Sequence, residues 1–243
     1  SDAIGKGFGI GENQNFSKAR GAFDVLLSLH HIVQQAITIP ELKILFREVN
    51  MEHFSSCLEM SPYHLPEYWF SVSKAFEIFL LNDALIAENL PYLEMRNFDI
   101  NVATEIFSLI APAIELIGNA AFFPSSKPKG VEALIDLIHL RLSRLESNLP
   151  LTIISYRVKN ENDSHQNSCR NSNAVCHWTE VKESADLSVQ ASDMRECMKQ
   201  GLDEFFFNRV YGPNIPNSTF LVLDMQAFLH PRLRQLTYLK HIV

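Results

Sequence analysis

The stretch that decides the fold is NVATEIFSLIAPAIELIG, residues 101–118. Its apolar residues recur at spacings of three and four, so they share one face of an α-helix with about 3.6 residues per turn. A half-buried strand would need strict alternation, which this stretch lacks. The pattern therefore predicts a long core helix whose buried face consists of Val102, Ile106, Leu109, Ile110, Ala113, Ile114 and Ile117.

Helical spacing continues on both sides of this stretch. It runs through residues 22–37, 42–49, 72–88, 131–149 and 194–206, with prolines or glycines between most of these segments. The best strand candidates are LTIISYRV (151–158), which directly continues a helical pattern, and FLVL (220–223). We therefore predict an all-α protein of six to eight helices, with residues 102–118 and 131–147 as two long helices.

Two segments depart from this pattern. The stretch GKGFGIG places Gly5, Gly7, Gly9 and Gly11 at alternate positions, but it lacks the flanking strand and the Lys-Ser/Thr end of a phosphate-binding loop. We expect a flexible or fragmentary terminal segment over residues 1–21. Residues 160–176 are almost wholly polar and predict a long exposed loop. The remaining chain, 22–243, is predicted to be one α-helical domain interrupted by that loop.

Composition bounds the function. The 243 residues are 47% hydrophobic and 20% charged, which is typical of a globular protein. The net charge of −7 argues against a basic nucleic-acid surface over the whole chain but permits a local basic patch. Four cysteines are too few for a disulfide scaffold and favour a reducing compartment. Uninterrupted apolar runs fall short of about 20 residues, so we expect no membrane span.

Few residues suggest chemistry by themselves. Cys169, Cys176 and His177, with His165 nearby, could in principle bind zinc, but their spacing differs from paired zinc-ligand motifs and a polar loop is the favoured interpretation. Of the adjacent pair His30-His31, at most one side chain can face the core. No hydrolase, zincin or Walker motif occurs. The residues therefore predict no catalytic group, no metal site and no cofactor.

Three stretches in order resemble the hAT superfamily of DNA transposases and its domesticated BED-zinc-finger relatives. LSLHHIVQQAITIPELKILF (27–46) is similar to a family helix leading into a Gln-rich turn. LPEYWFSVSKAFEIFLLNDALI (65–86) resembles the Pro-Thr-Arg-Trp-Asn-Ser block, and FLHPRLRQLTYL (228–239) resembles the Leu-Asp-Pro-Arg-Phe-Lys block. The matching residues of these last two blocks are Pro66, Trp69, Ser71, Leu229, Pro231, Arg232 and Arg234.

This resemblance implies the helical insertion domain that interrupts the family's RNase-H-like catalytic fold, with residues 1–21 as a remnant of that fold. It gives the second and third blocks a structural role, in which Arg232 pairs with a carboxylate or with carbonyls at a helix end. The alternative role is contact with DNA phosphates through Arg232, Arg234 and Lys240. The resemblance also implies nuclear localisation, with DNA, protein partners or a second copy as binding partners.

The departures from the family argue against catalysis. The family cuts DNA with three metal-binding carboxylates, and only Asp2 lies at a plausible position for one of them. The family's Cys-x-x-His reads Asp24-Val25-Leu26-Leu27 in this chain. We therefore expect a catalytically incomplete, transposase-derived protein that is not an enzyme. The alternative is a free-standing helical scaffold for protein interactions, unrelated to transposition.

Overall fold

The computed structural model describes residues 1–10, 17–59, 66–90, 99–122, 129–158 and 175–207. These ranges are mostly helical and include one two-stranded sheet, so the prediction of a predominantly helical protein is confirmed. The elements are α1 (Asp2–Gly7), α2 (Arg20–Ala36), α3 (Pro40–Lys43), α4 (Met51–Leu58), α5 (Pro66–Asn89), α6 (Ile100–Phe122), α7 (Lys129–Ser143), β1 (Leu151–Val158), β2 (Val175–Lys182) and α8 (Val189–Leu202). Short 3-10 turns cover Leu45–Glu48 and Ser184–Asp186, and a π-helical turn, Asp203–Phe207, follows α8.

The predicted core helix is α6, and it packs against α5, α7, α8 and β1. Its apolar face is buried from Val102 to Ile114, and Ile117 is half-buried. By length and composition one described helix, Ile100–Gly118, also passes as a candidate membrane span. Of that window, 56% is buried inside the domain, which is what a core helix requires. The expectation of no membrane span therefore stays a prediction.

The strictly all-α prediction is wrong for residues 151–158 and 175–182. These form an antiparallel hairpin in which Leu151 lies opposite Lys182 and Val158 lies opposite Val175. Leu151 and Ile153 are buried on the inner face, so this face joins the helical core. β2 also takes up the last two residues of the loop predicted over 160–176, while residues 160–174 lie outside the described ranges.

The prediction of a flexible terminal segment is wrong for residues 1–10, and the alternative of a fragment of another fold stays a prediction. α1 packs against α8, and Ile4 and Phe8 are fully buried. The glycines allow the close approach, because a Cβ added to Gly7 would lie 2.3 Å from Cγ of Met198. Gly9 takes a positive φ of 68°, which favours glycine, where the chain turns after α1. The glycine pattern therefore serves helix packing and a turn.

Candidate functional site

The described family-motif residues open α5 and support the core. Pro66 is the first helical residue, where a missing N–H costs little. Trp69 is fully buried, and its ring stacks on Phe8 with centroids 5.9 Å apart. The buried Ser71 hydroxyl donates to the Glu67 carbonyl at 3.3 Å. Trp69 therefore packs the end of α1 against α5, while the Ser71 hydrogen bond lies within α5 itself.

The other predicted site residues divide into two groups. Those outside the described ranges are Leu229, Pro231, Arg232, Arg234 and Lys240, together with His165 and Cys169. Those inside are Asp2, which is exposed on α1, and Cys176 and His177, which are adjacent positions of β2. Among the described residues, no group of three His, Cys, Asp or Glu side chains is arranged to hold a metal ion.

The His30-His31 pair divides between the core and the surface, as the sequence predicts. His30 is buried and His31 is exposed. The His30 Nε2 lies 3.0 Å from the Ser55 hydroxyl, and the ring meets the edge of Phe54 at a centroid distance of 5.0 Å. Burial, followed by the nearby charge of His31, lowers the pKa of His30. The neutral form of His30 is therefore the one that this packing favours.

A proline inside α6 determines how the hairpin is attached. Pro112 has no N–H, so it leaves the carbonyl of Ser108 without its helical donor. Arg144 donates to that carbonyl at 3.4 Å and to the carbonyl of Thr152 at 3.1 Å. The Ser108 hydroxyl accepts the N–H of Ile154 at 2.7 Å. The outer edge of β1 is therefore covered by α6 and by the end of α7.

The pairing register also determines which backbone groups of β2 point away from β1. In an antiparallel pair, residues whose backbone groups point away from the partner strand lie opposite each other. Thr152 and Ile154 point outward, so their opposite residues, Val181 and Thr179, also direct N–H and C=O away from β1. Thr179 and Glu180 are exposed, and Val181 is 67% exposed. The hairpin is therefore covered along β1 at Thr152 and Ile154, and β2 is exposed at the described residues 179–181.

Buried charges hold β2 and α8 in place. The Glu105 carboxylate, only 3% exposed, accepts from the Ser188 N–H at 2.9 Å and from the Ser188 hydroxyl at 2.5 Å. It also pairs with Lys182 at the end of β2. The guanidinium of Arg195 is fully buried and donates to the carbonyls of Arg144 and Leu149 at 2.6 and 2.8 Å. These contacts fix the hairpin against α6 and α8.

An ion-pair network connects α7 to the end of α8. Arg141 binds both carboxylate oxygens of Asp203, at 2.7 and 2.9 Å, and also pairs with Glu146. Lys199 donates to Glu146 at 2.7 Å. Burial alone would lower the pKa of Arg141, but the hydrogen bonds to these carboxylates outweigh it and the pKa is raised. The turn that follows α8 is therefore held beside α7.

A cleft of about 300 Å³ lies between α6 and α7. Its lining includes the apolar residues Pro112, Leu116 and Leu140, with the exposed Glu115, Asp136 and His139 and the partly buried Arg144. Burial lowers the pKa of Arg144, while the charge of Glu115 acts in the opposite direction. An apolar base with carboxylates around it suits an apolar group that carries positive charge.

Most described lysines and arginines bind groups of the fold itself. Two of them, Arg144 and Arg195, donate to backbone carbonyls. Others form ion pairs with carboxylates, namely Lys6–Glu204, Lys18–Glu196, Arg20–Asp24, Lys74–Glu77, Arg141–Asp203, Lys182–Glu105 and Lys199–Glu146. Lys43 and Arg47 are exposed near α3. The described surface therefore commits most of its positive charge internally.

No family model, curated protein or solved structure matches this chain. The resemblance to hAT transposases therefore rests on the three sequence stretches alone. The two features with the clearest geometry, the exposed edge of β2 and the cleft, were both missed by sequence reasoning. For the hairpin edge, Pro112 was the available signal. A proline inside a strong helical pattern leaves a carbonyl that another element must satisfy.

Proposed function

We propose that this chain is a helical, transposase-derived interaction domain that acts in the nucleus through protein contacts and does not itself cleave DNA. Its partner at the surface described here is a second copy of the chain. The observation that carries this proposal is the unequal cover of the hairpin, with the edge of β1 occupied and the edge of β2 exposed. An exposed strand edge binds another strand through its unpaired backbone groups.

A second copy suits this edge because antiparallel pairing about a two-fold axis uses the same edge twice. If the axis passes through Thr179, the two Thr179 residues lie opposite each other, which is a favourable cross-strand pair. Val181 then lies opposite His177 of the second copy. An axis at Glu180 would oppose two carboxylates and is disfavoured. The expected product is a continuous four-stranded sheet built from two hairpins.

Sedimentation velocity of the full chain over a range of concentrations tests this proposal. We expect a monomer–dimer equilibrium that Thr179→Pro shifts to monomer, because proline removes an N–H that points away from β1. Thr152→Pro is the matched control, since it places proline directly opposite, on the covered edge. Circular dichroism confirms that both variants fold. A wild-type chain that stays monomeric, or a dimer indifferent to Thr179→Pro, would contradict the proposal.

Contact with DNA through Arg232, Arg234 and Lys240 remains a second prediction. The internal pairing of most described cations favours protein contacts over DNA contacts for the part of the chain that the structure describes. Incubation with supercoiled plasmid in Mg²⁺ or Mn²⁺ tests the proposed lack of cleavage. We expect no nicking, whereas nicking that disappears with Asp2→Ala would restore the enzyme hypothesis.

A further inference from the structure

We propose that the cleft between α6 and α7 binds a short zwitterionic ligand with an apolar body, namely a dipeptide of apolar residues. The ligand's carboxylate binds the guanidinium of Arg144, its ammonium group faces the carboxylates of Glu115 and Asp136, and its side chains lie on the leucines of the cleft. This inference goes beyond the proposed function, because no residue of the β2 edge takes part in it.

The residues of α7 that line the cleft are ordered by charge. Asp136, Leu140 and Arg144 follow one another at spacings of four residues, so they form a row on one face of α7 and of the turn that ends it. The Arg144 N–H donates to the Leu140 carbonyl at 3.1 Å, which continues the helical geometry to Arg144. At about 1.5 Å per residue, the Cα atoms of Asp136 and Arg144 are about 12 Å apart along the axis. The row therefore has an acidic end, an apolar middle and a basic end.

Apolar side chains of α6 line the same cleft. Pro112 and Leu116 are about one turn apart and supply apolar surface together with Leu140. A ligand that covers these side chains removes the rest of their apolar surface from water, which favours binding. The cleft volume of about 300 Å³ is at the lower end of the range for small-molecule pockets, so it favours a small ligand.

Arg144 keeps two donors for a ligand. Its Nη1 donates to the carbonyls of Ser108 and Thr152, at 3.4 and 3.1 Å, while its Nε and Nη2 donate to no group within the described ranges. Two such donors form a fork that fits both oxygens of one carboxylate. Arg141 uses the same two atoms in this way, since its Nε and Nη2 bind Asp203 at 2.7 and 2.9 Å. Because Arg144 is only partly buried and lines the cleft, a ligand carboxylate can bind it as Asp203 binds Arg141.

The carboxylates of the cleft supply the opposite charge. Glu115 and Asp136 are exposed, and neither forms an ion pair with another residue that the structure describes. A ligand with a single charge would leave either Arg144 or these carboxylates without a partner, whereas a zwitterion provides a partner for both.

The distance between the charged ends of the cleft favours a dipeptide. A single amino acid spans about 3.5 Å and an extended dipeptide about 7 Å. The row on α7 is about 12 Å long between Cα atoms, and the side chains of Asp136 and Arg144 extend toward the ligand to cover the remaining distance of about 5 Å. A dipeptide therefore reaches both ends, while a single amino acid does not.

Titration of the full chain with leucyl-leucine, followed by amide chemical shifts, tests this proposal. We expect saturable shifts at residues 112–116 and 136–144, with a dissociation constant of about 1 mM or below. Two analogues each lack one charge: N-acetyl-leucyl-leucine has no ammonium group and leucyl-leucine amide has no carboxylate. Each analogue, and leucine itself, should bind about fivefold more weakly or worse, because one charged contact is lost.

Substitutions in the acidic end test which ligand group lies there. Glu115→Gln combined with Asp136→Asn should weaken leucyl-leucine about fivefold, yet it should change the affinity for N-acetyl-leucyl-leucine less than twofold, because that ligand has no ammonium group to lose a partner. The matched control is Glu41→Gln with Glu52→Gln, two exposed acids of α3 and α4, which should change both affinities less than twofold.

Three results would overturn the proposal. The first is the absence of saturable shifts up to about 10 mM leucyl-leucine. The second is binding that maps outside the cleft or that is as tight for the analogues as for leucyl-leucine. The third is an equal effect of the cleft substitutions on leucyl-leucine and on its acetylated analogue. None of these results bears on the dimer, which sedimentation velocity tests without a ligand.

Discussion

Replacing Arg144 by methionine tests how Pro112 shapes the fold. The substitution keeps the aliphatic length but removes the donors to the carbonyls of Thr152 and Ser108, which lie 3.1 and 3.4 Å away. A charged hydrogen bond of good geometry stabilises by roughly 1.5–3 kcal/mol. The longer bond contributes less, and Arg144 is only partly buried. We therefore expect the free energy of unfolding to fall by about 2 kcal/mol.

Repeating Arg144→Met in a Pro112→Ala background tests whether Pro112 is the reason that the Ser108 carbonyl needs Arg144. Alanine restores the helical N–H to the Ser108 carbonyl, so that carbonyl no longer depends on Arg144. The cost of Arg144→Met should then fall by about 0.5–1 kcal/mol, which appears as a coupling energy in the double-mutant cycle. Urea unfolding followed by circular dichroism at 222 nm measures all four proteins.

Arg141→Met is the matched control for this cycle. It removes an arginine of α7 that lies three residues before Arg144, but its partners Asp203 and Glu146 do not involve α6. Its cost should be the same in both backgrounds. If the effects of Arg144→Met and Pro112→Ala add to within about 0.3 kcal/mol, Pro112 does not create the need for Arg144, and the account of the hairpin's attachment is wrong.

Three further predictions follow from buried groups. Burial lowers the pKa of His30, so as the pH falls the unfolded chain protonates this imidazole at a higher pH than the folded chain does. The stability that His30 contributes above about pH 6.5 is therefore lost as the pH falls. His30→Gln should reduce this dependence of the free energy of unfolding on pH, as measured by urea titrations. Burial raises the pKa of the Cys57 thiol to about 12, so in a Cys169→Ser/Cys176→Ser background the remaining thiols should react with a disulfide reagent only after unfolding. Gly7→Ala should lower the free energy of unfolding by about 1–3 kcal/mol, because the added methyl group overpacks against Met198. The midpoint of urea unfolding should fall, and adding Met198→Ala should relieve that shift.

Long helices could be predicted from the sequence because their burial pattern is local. The face of α6 from Val102 to Ile114 is buried as its spacing predicts, since consecutive turns of one helix meet the same core. The hairpin could not be predicted with the same certainty. β1 depends on a partner that begins only at Val175, beyond a polar stretch, and pairing over that distance leaves little mark on local periodicity.

Contacts between distant segments were also hidden from sequence reasoning. The glycines of α1 indicated flexibility until the structure placed α8 against them, because close helix approach is a property of two segments at once. The cleft likewise combines Glu115 of α6 with Asp136 of α7, and neither residue stands out in its own helix. Trp69 stands out in the sequence, but its contact with Phe8 could be seen only in the fold.

Amide hydrogen exchange along β2 tests the central claim most directly. The N–H groups of Thr179 and Val181 point away from β1, while that of Glu180 points toward it. We predict that protection of Thr179 and Val181 rises with protein concentration in parallel with the dimer fraction, while Glu180 is protected at every concentration. Rapid exchange at Thr179 and Val181 in samples where the dimer predominates would contradict the claim that this edge joins two copies.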